Sequence, residues 1–151
     1  MKLVKYSTYL VVFMLSVQTA AATGIGDRGD ALDIFKSYVN SMVQRVKKAD
    51  NPSQKRKILN NSFDKMTAAF DKAQEIRLVS EKDKKAINLF KADIQQKRNE
   101  LNGLDGFDRV EDSNLNNFAN YVQQDLEQAK MVSISISAVL LVLIIILLLL
   151  L

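Results

Sequence analysis

Cysteine, histidine and tryptophan are all absent from this 151-residue chain, and proline occurs once. Without cysteine no disulfide can staple the fold, so packing alone must hold it. The lack of cysteine and histidine removes the commonest zinc and copper ligands. It also removes the usual general base near neutral pH and the thiol nucleophile. One proline and five glycines argue against a loop-rich or disordered middle. The chain has no Gly-rich phosphate loop, no nucleophile paired with a base and no metal-ligand spacing. The expectation is a protein that is not an enzyme and carries no cofactor or metal.

Charge of one sign is also missing. The formal net charge is +4, but Lys2 and Lys5 belong to the leader described next, and without them 19 basic side chains face 17 acidic ones. A balance so close to neutral, with no basic stripe interleaved with aromatics, leaves no nucleic-acid footprint.

What the chain does have is apolar sequence at both ends. Lys2 and Lys5 precede a short apolar run from Tyr9 to Val17, and Ala20, Ala21 and Ala22 follow as a small-residue cleavage site. Residues 1–22 therefore read as a signal peptide, because the run falls short of the ~20 apolar residues that span a bilayer. From Met131 to Leu151 there is no charge at all. As a helix this stretch reaches ~31 Å, about one hydrocarbon core, so residues 131–151 read as a transmembrane anchor. The discarded tail of a GPI signal is the alternative. It is weakened by the poor polar spacer, Ser133-Ile134-Ser135-Ile136-Ser137.

Residues 23–130 remain for one small core. Apolar spacing predicts four helical stretches. The first follows Asp30 as N-cap and aligns Leu32, Phe35, Val39, Met42 and Val46. The second opens at Asn51-Pro52, aligns Leu59, Phe63, Met66, Phe70 and Ala73, and runs to about Val79. Ser80 with Asp83 resembles a capping box and opens the third, with Ile87, Phe90, Ile94 and Leu101, which ends at Gly103. The fourth starts near Ser113 and carries Leu115, Phe118, Val122 and Leu126. With no convincing strand pattern and short connections, the expected fold is all-α: a small up-down antiparallel helical bundle of three to four helices, with a C-terminal transmembrane helix.

Three sets of residues stand out as candidate sites. At the end far from the anchor, Lys47, Lys48, Lys55, Arg56 and Lys57 meet Asp105, Asp108, Glu111 and Asp112. This is a patch for a protein partner or else an ordinary solvated tip. Calcium is disfavoured there, because Asp105-Gly106-Phe107-Asp108 lacks the alternating ligands of a calcium loop. Nearer the anchor, Arg77, Lys82, Lys84 and Lys85 would face anionic headgroups, or are plain helix-start surface. Ala129, Ser133 and Ser137 recur every fourth residue, a spacing that lets membrane helices pack as a homodimer, or serines that only soften the passage into the headgroup region. Arg28-Gly29-Asp30 matches an integrin-ligand tripeptide, and Asn60-Asn61-Ser62 is a glycosylation sequon.

These observations lead to a non-catalytic, membrane-tethered interaction or scaffold protein on the extracytoplasmic side, in a bacterial envelope, with a GPI-anchored eukaryotic surface as the alternative. The expected partners are the membrane and another protein, not nucleic acid. Two other readings stand beside it. One is a ligand-binding or sensory bundle acting through a partner subunit. The other is a secreted protein whose tail inserts into a target bilayer.

Overall fold

The computed structural model describes residues 28–77, 79–127 and 144. Residues 1–22, and 131–151 apart from Ile144, lie outside the described residues; so do Ala129, Ser133 and Ser137. Among the described residues, every regular element is helical and no helix is long and apolar enough to cross a membrane.

Four helices form the bundle: α1 (Arg28–Lys48), α2 (Pro52–Gln74), α3 (Glu81–Asn102) and α4 (Leu115–Asp125), the last preceded by a single 3-10 turn over Asp112–Asn114. Each start and stop has a local cause. Asn51 accepts a bond from the Gln54 N–H at 2.9 Å, and Pro52, which has no N–H to leave orphaned, takes the first helical position. The Ser80 hydroxyl accepts from the Asp83 N–H at 3.1 Å and donates back to the Asp83 carboxylate at 2.8 Å. Asp is one methylene shorter than the usual Glu, and here it meets the Ser80 hydroxyl itself. Gly103 closes α3 in the left-handed conformation, φ 69°.

Two boundaries differ from the sequence reading. Asp30 is the third residue of α1 rather than its cap; Gly29 is tolerated in a first turn, where N–H groups have no intrahelical acceptor. The second helix stops at Gln74, not Val79. Its apolar stripe ends at Ala73, and Val79 reaches the core from the connecting turn instead.

The predicted stripes are the core. Every aligned apolar residue whose side chain is described is buried, and Val43, Ala69, Ala86 and Ala119 join them. Phe90 sits at the centre, edge-on to Phe35 with centroids 5.9 Å apart and tilted against Phe70 at 5.2 Å. Burying each such ring contributes about 1.5–3 kcal/mol, which is how a chain without disulfides can hold together. α1 packs on α2 and α4, while α2 also meets α3 and α4. Cross-links set the register: Arg45 to Ser62 joins α1 to α2, and Asn60 to Asn102, Asp64 to Arg98 and Asp71 to Lys91 join α2 to α3. Between α2 and α3 the numbers rise on one helix as they fall on the other, so that pair runs in opposite directions.

α4 ends at Asp125 and widens into a π-type turn at Leu126–Glu127. Beyond that point Ile144 alone is described. It is helical, fully buried and part of the apolar core.

Candidate functional site

One side chain ties the start of α2 to the loop between α3 and α4. Arg56 rises from the first turns of α2 with its side chain only 13% exposed. It donates to the Leu101 carbonyl at the end of α3, to the Val110 carbonyl at 2.7 Å and to the Asp112 carboxylate at 2.8 Å. A planar guanidinium with five donors can satisfy three acceptors on different segments at once; a lysine could not. Arg56 thus ties α2, the end of α3 and the loop leading to α4 into one unit.

The loop from Gly103 to Glu111 is irregular but closely held. The Leu104 N–H returns to the Asn99 carbonyl at 2.9 Å and the Val110 N–H to the Glu100 carbonyl at 3.3 Å. Asp105 stands at φ 52°, a conformation that Asp tolerates, and its carboxylate accepts from the Asn99 amide. Asn60 and Asn102 exchange amide bonds at 3.1 and 2.8 Å, and Lys55 donates to Asn116 at 2.8 Å. A Cβ on Gly103 would fall 2.8 Å from the Arg109 Cβ and 2.9 Å from its backbone nitrogen, so only glycine permits this approach.

Held in this way, the loop turns apolar side chains to solvent. Leu104 is 50% exposed and Phe107 40%. Between the loop and α2 lies a depression of about 310 Å³ lined by Ser53, Arg56, Lys57, Asn60, Arg109 and Asp112. Arg56 bonds Asp112 directly, and Arg109 reaches the same oxygen at 3.2 Å. Together they hold its carboxyl below the ordinary carboxylate range.

The predicted tip residues therefore divide. Arg56 and Asp112 form an ion pair, Lys55 donates to the Asn116 side chain, and Asp105 ties the loop to Asn99 of α3. Among the described residues, the side chains of Lys47, Lys48, Lys57 and Asp108 make no hydrogen bond or ion pair, and the three lysines are exposed. No three carboxylates among the described residues converge to hold a cation. Arg109, Leu104 and Phe107 were not singled out from the sequence. The signal available was Gly103-Leu104-Asp105-Gly106-Phe107, large apolar residues set among turn formers, which is where loops display side chains.

The other candidates are simpler. Arg77, Lys82 and Lys85 are exposed at the α2–α3 connection, and Lys84 pairs with Glu81 at 2.7 Å. The sequon is occupied by structure: Asn60 is bonded to Asn102, while Ser62 is buried with its hydroxyl on the Ile58 carbonyl at 2.8 Å.

A second polar centre lies in the bundle itself. The α3 stripe Ile87-Phe90-Ile94-Leu101 has a gap at Lys97, and that side chain is only 5% exposed. Its ammonium donates to the Tyr121 hydroxyl, lies 4.1 Å from that ring's centroid, and reaches Asp125 at 3.2 Å and Glu100 at 3.8 Å. Burial pulls the ammonium's pKa down, but the bonds to Tyr121 and Asp125 and the two nearby carboxylates outweigh it and leave it raised. A lysine held protonated in this way is no nucleophile; it fastens α3 to α4.

Comparison with protein-family models, with curated proteins and with solved structures found no match to this chain.

Proposed function

We propose that this chain is a membrane-tethered, extracytoplasmic adaptor. In this reading an up-down antiparallel bundle, exported by residues 1–22 and anchored through residues 131–151, presents the 103–111 loop to a protein partner without catalysing a reaction. One observation carries the partner-binding part: an irregular loop fixed by Arg56 and Gly103 exposes Leu104 and Phe107 beside unpaired charges. A solvated tip has no need of so many bonds to hold apolar side chains in water. Interfaces commonly centre on such groups with a charged rim. Arg77, Lys82 and Lys85 at the opposite connection would then face anionic headgroups.

The test uses the full chain in its producing cells. A photo-crosslinking residue at position 107 should give one discrete adduct, lost when Leu104 becomes Asp. External protease should digest the domain, and a stop codon after Lys130 should release it. Protection of the domain together with cytoplasmic markers would reverse the orientation. A diffuse adduct pattern that Leu104→Asp leaves unchanged would remove the tip from the interface.

Ile144 favours a second reading. It belongs to the apolar tail, yet it is fully buried in the bundle's core. An apolar residue of the tail buried in this way suits a water-soluble secreted form that inserts into a target bilayer. Fractionation separates the two: the adaptor stays with membranes, whereas the secreted form sediments as a soluble protein until lipid is added.

A further inference from the structure

The tip carries both halves of a self-complementary surface. On one side stand the exposed ammonium groups of Lys47 and Lys48 at the end of α1 and Lys57 on α2. On the other stand Asp108 and Glu111, in the loop that Arg56 binds to α2. Asp108 and the three lysines have no protein partner among the described residues, and the Glu111 carboxylate meets only Ser113 and Asn114 at 3.4 Å. Adjacent opposite charges normally close on each other within a molecule, as Arg56 and Asp112 do. Among the described residues Asp108 and Glu111 form no ion pair with these lysines. Leu104 and Phe107 add an exposed apolar element on the same loop.

A two-fold axis satisfies such a surface without any other molecule. In an isologous contact, the acidic loop of one copy faces the basic side of the second, and the reverse pair forms at the same time. Each charge pair is thereby counted twice, and the apolar side chains of the two loops are removed from water together. We propose that the tip binds the tip of a second copy of this chain, in a two-fold, charge-complementary contact. This rests on the anchored reading given above. If the anchor lies at the opposite end, pairing through the tips joins two copies held in separate membranes.

Each side of the contact can be inverted by itself. Asp108→Lys with Glu111→Lys turns the two acids of the loop basic; Lys47→Glu with Lys57→Glu turns two of the three exposed lysines acidic. All four residues are exposed, and none supports the core, so both variants should keep the wild-type circular dichroism and melt. The full chain is placed in lipid nanodiscs at one copy per disc and followed by sedimentation velocity. Wild-type discs should sediment as pairs and dissociate as salt is raised to about 0.5 M, where screening is nearly complete within a few ångströms. Each variant alone should lose pairing by roughly tenfold or more in apparent affinity, as like charges now face each other. Mixing the two variants should restore it, which general misfolding or loss of a separate partner cannot mimic. Wild-type discs that sediment singly, or a mixture that stays unpaired, would overturn the inference while leaving the anchored adaptor intact. A chain that fails to enter the discs would remove the anchored reading and this inference with it.

Discussion

The Gly103–Glu111 loop and the Glu75–Ser80 connection both join helices without regular structure, yet they are held in different ways. The shorter connection depends on its neighbours' caps: the Glu75 N–H closing α2, Ser80 opening α3, and Gln74 reaching across to Asn88 at 2.6 Å. The first two are helix-end devices found wherever a helix stops, and the third is a single bond between neighbouring helices. The longer loop adds an arginine brought from another helix, a left-handed glycine against a neighbouring backbone, and an aspartate in the left-handed region. Caps are enough to turn a chain round. Holding an irregular loop in one shape takes contacts from elsewhere in the fold, and the same shape leaves Leu104 and Phe107 in water. The contrast marks the end that carries the Gly103–Glu111 loop, not the Glu75–Ser80 end, as the part of the bundle with a shape to keep.

The contrast is broken most directly at Arg56. Replacing it with Met keeps most of the aliphatic stem but removes the bonds to Leu101, Val110 and Asp112. Two carbonyls and a carboxylate then lose a charged donor at a largely buried site, a cost of about 2–4 kcal/mol. Urea denaturation should show the lower midpoint, and amide exchange should rise first in residues 104–111. Exchange that rises equally in the Glu75–Ser80 connection would mean that Arg56 supports the whole bundle rather than its tip.

Gly103→Ala should cost about 1–2 kcal/mol, since a Cβ at φ 69° is strained and would also press on the Arg109 backbone. Gly106 is the internal control. It too has positive φ, at 84°, but nothing lies within 4 Å of an added Cβ. Gly106→Ala therefore carries the backbone strain alone. If both variants lose the same stability in chemical denaturation, the close approach at Arg109 contributes nothing.

Most of the framework was legible in the sequence because it depends on short-range rules. Phe35, Leu59, Phe90 and Leu115 fall on stripes that amphipathic helices must bury, and Asn51, Ser80 and Gly103 are caps recognisable within four residues. The tip was legible as a collection of charges but not as a geometry. That Arg56 is largely covered while Lys57 is exposed depends on where α3 ends and how the loop returns, which are contacts more than 40 residues apart in the chain. Lys97 is similar: the gap in its stripe is visible, but its partners Tyr121 and Asp125 lie on another helix. The end of α2 was misplaced for a related reason, since Val79 is apolar and packs on the core without being helical.

At the Glu75–Ser80 connection the expected effect is smaller and confined. Ser80→Ala removes the acceptor for the Asp83 N–H and should cost about 1 kcal/mol. Faster amide exchange should be limited to the first turn of α3, with residues 104–111 unchanged. Spread of the effect to the tip loop would show that the two ends are coupled through α3 and would weaken the distinction between them.

The smallest effect is a pH dependence that also separates the two ends. Asp112 and Glu81 both have lowered pKa values, Asp112 chiefly through its bond to Arg56 and Glu81 chiefly through its bond to Lys84. A carboxyl whose folded pKa lies below its unfolded value adds stability above the unfolded value and loses it as pH falls through the folded one. Both contributions are therefore present at neutral pH and vanish in acid, below the ordinary carboxylate range of about 4. Both groups are exposed, so solvent screens them and the change in global stability is slight. What differs is the partner. Lys84 lies one turn along the same helix as Glu81, so protonation there frees a side chain and moves nothing else. Arg56 belongs to another helix, and protonating Asp112 removes one of the three acceptors that fix the loop. Lowering the pH from neutral to about 3 should therefore raise amide exchange in residues 104–111, corrected for the intrinsic rate, more than in residues 75–80. Asp112→Asn should show the raised exchange already at neutral pH and respond little to acid, whereas Glu81→Gln should leave both segments as in the wild type. If Asp112→Asn keeps the wild-type pH response, the acid-sensitive contact in the tip is another one.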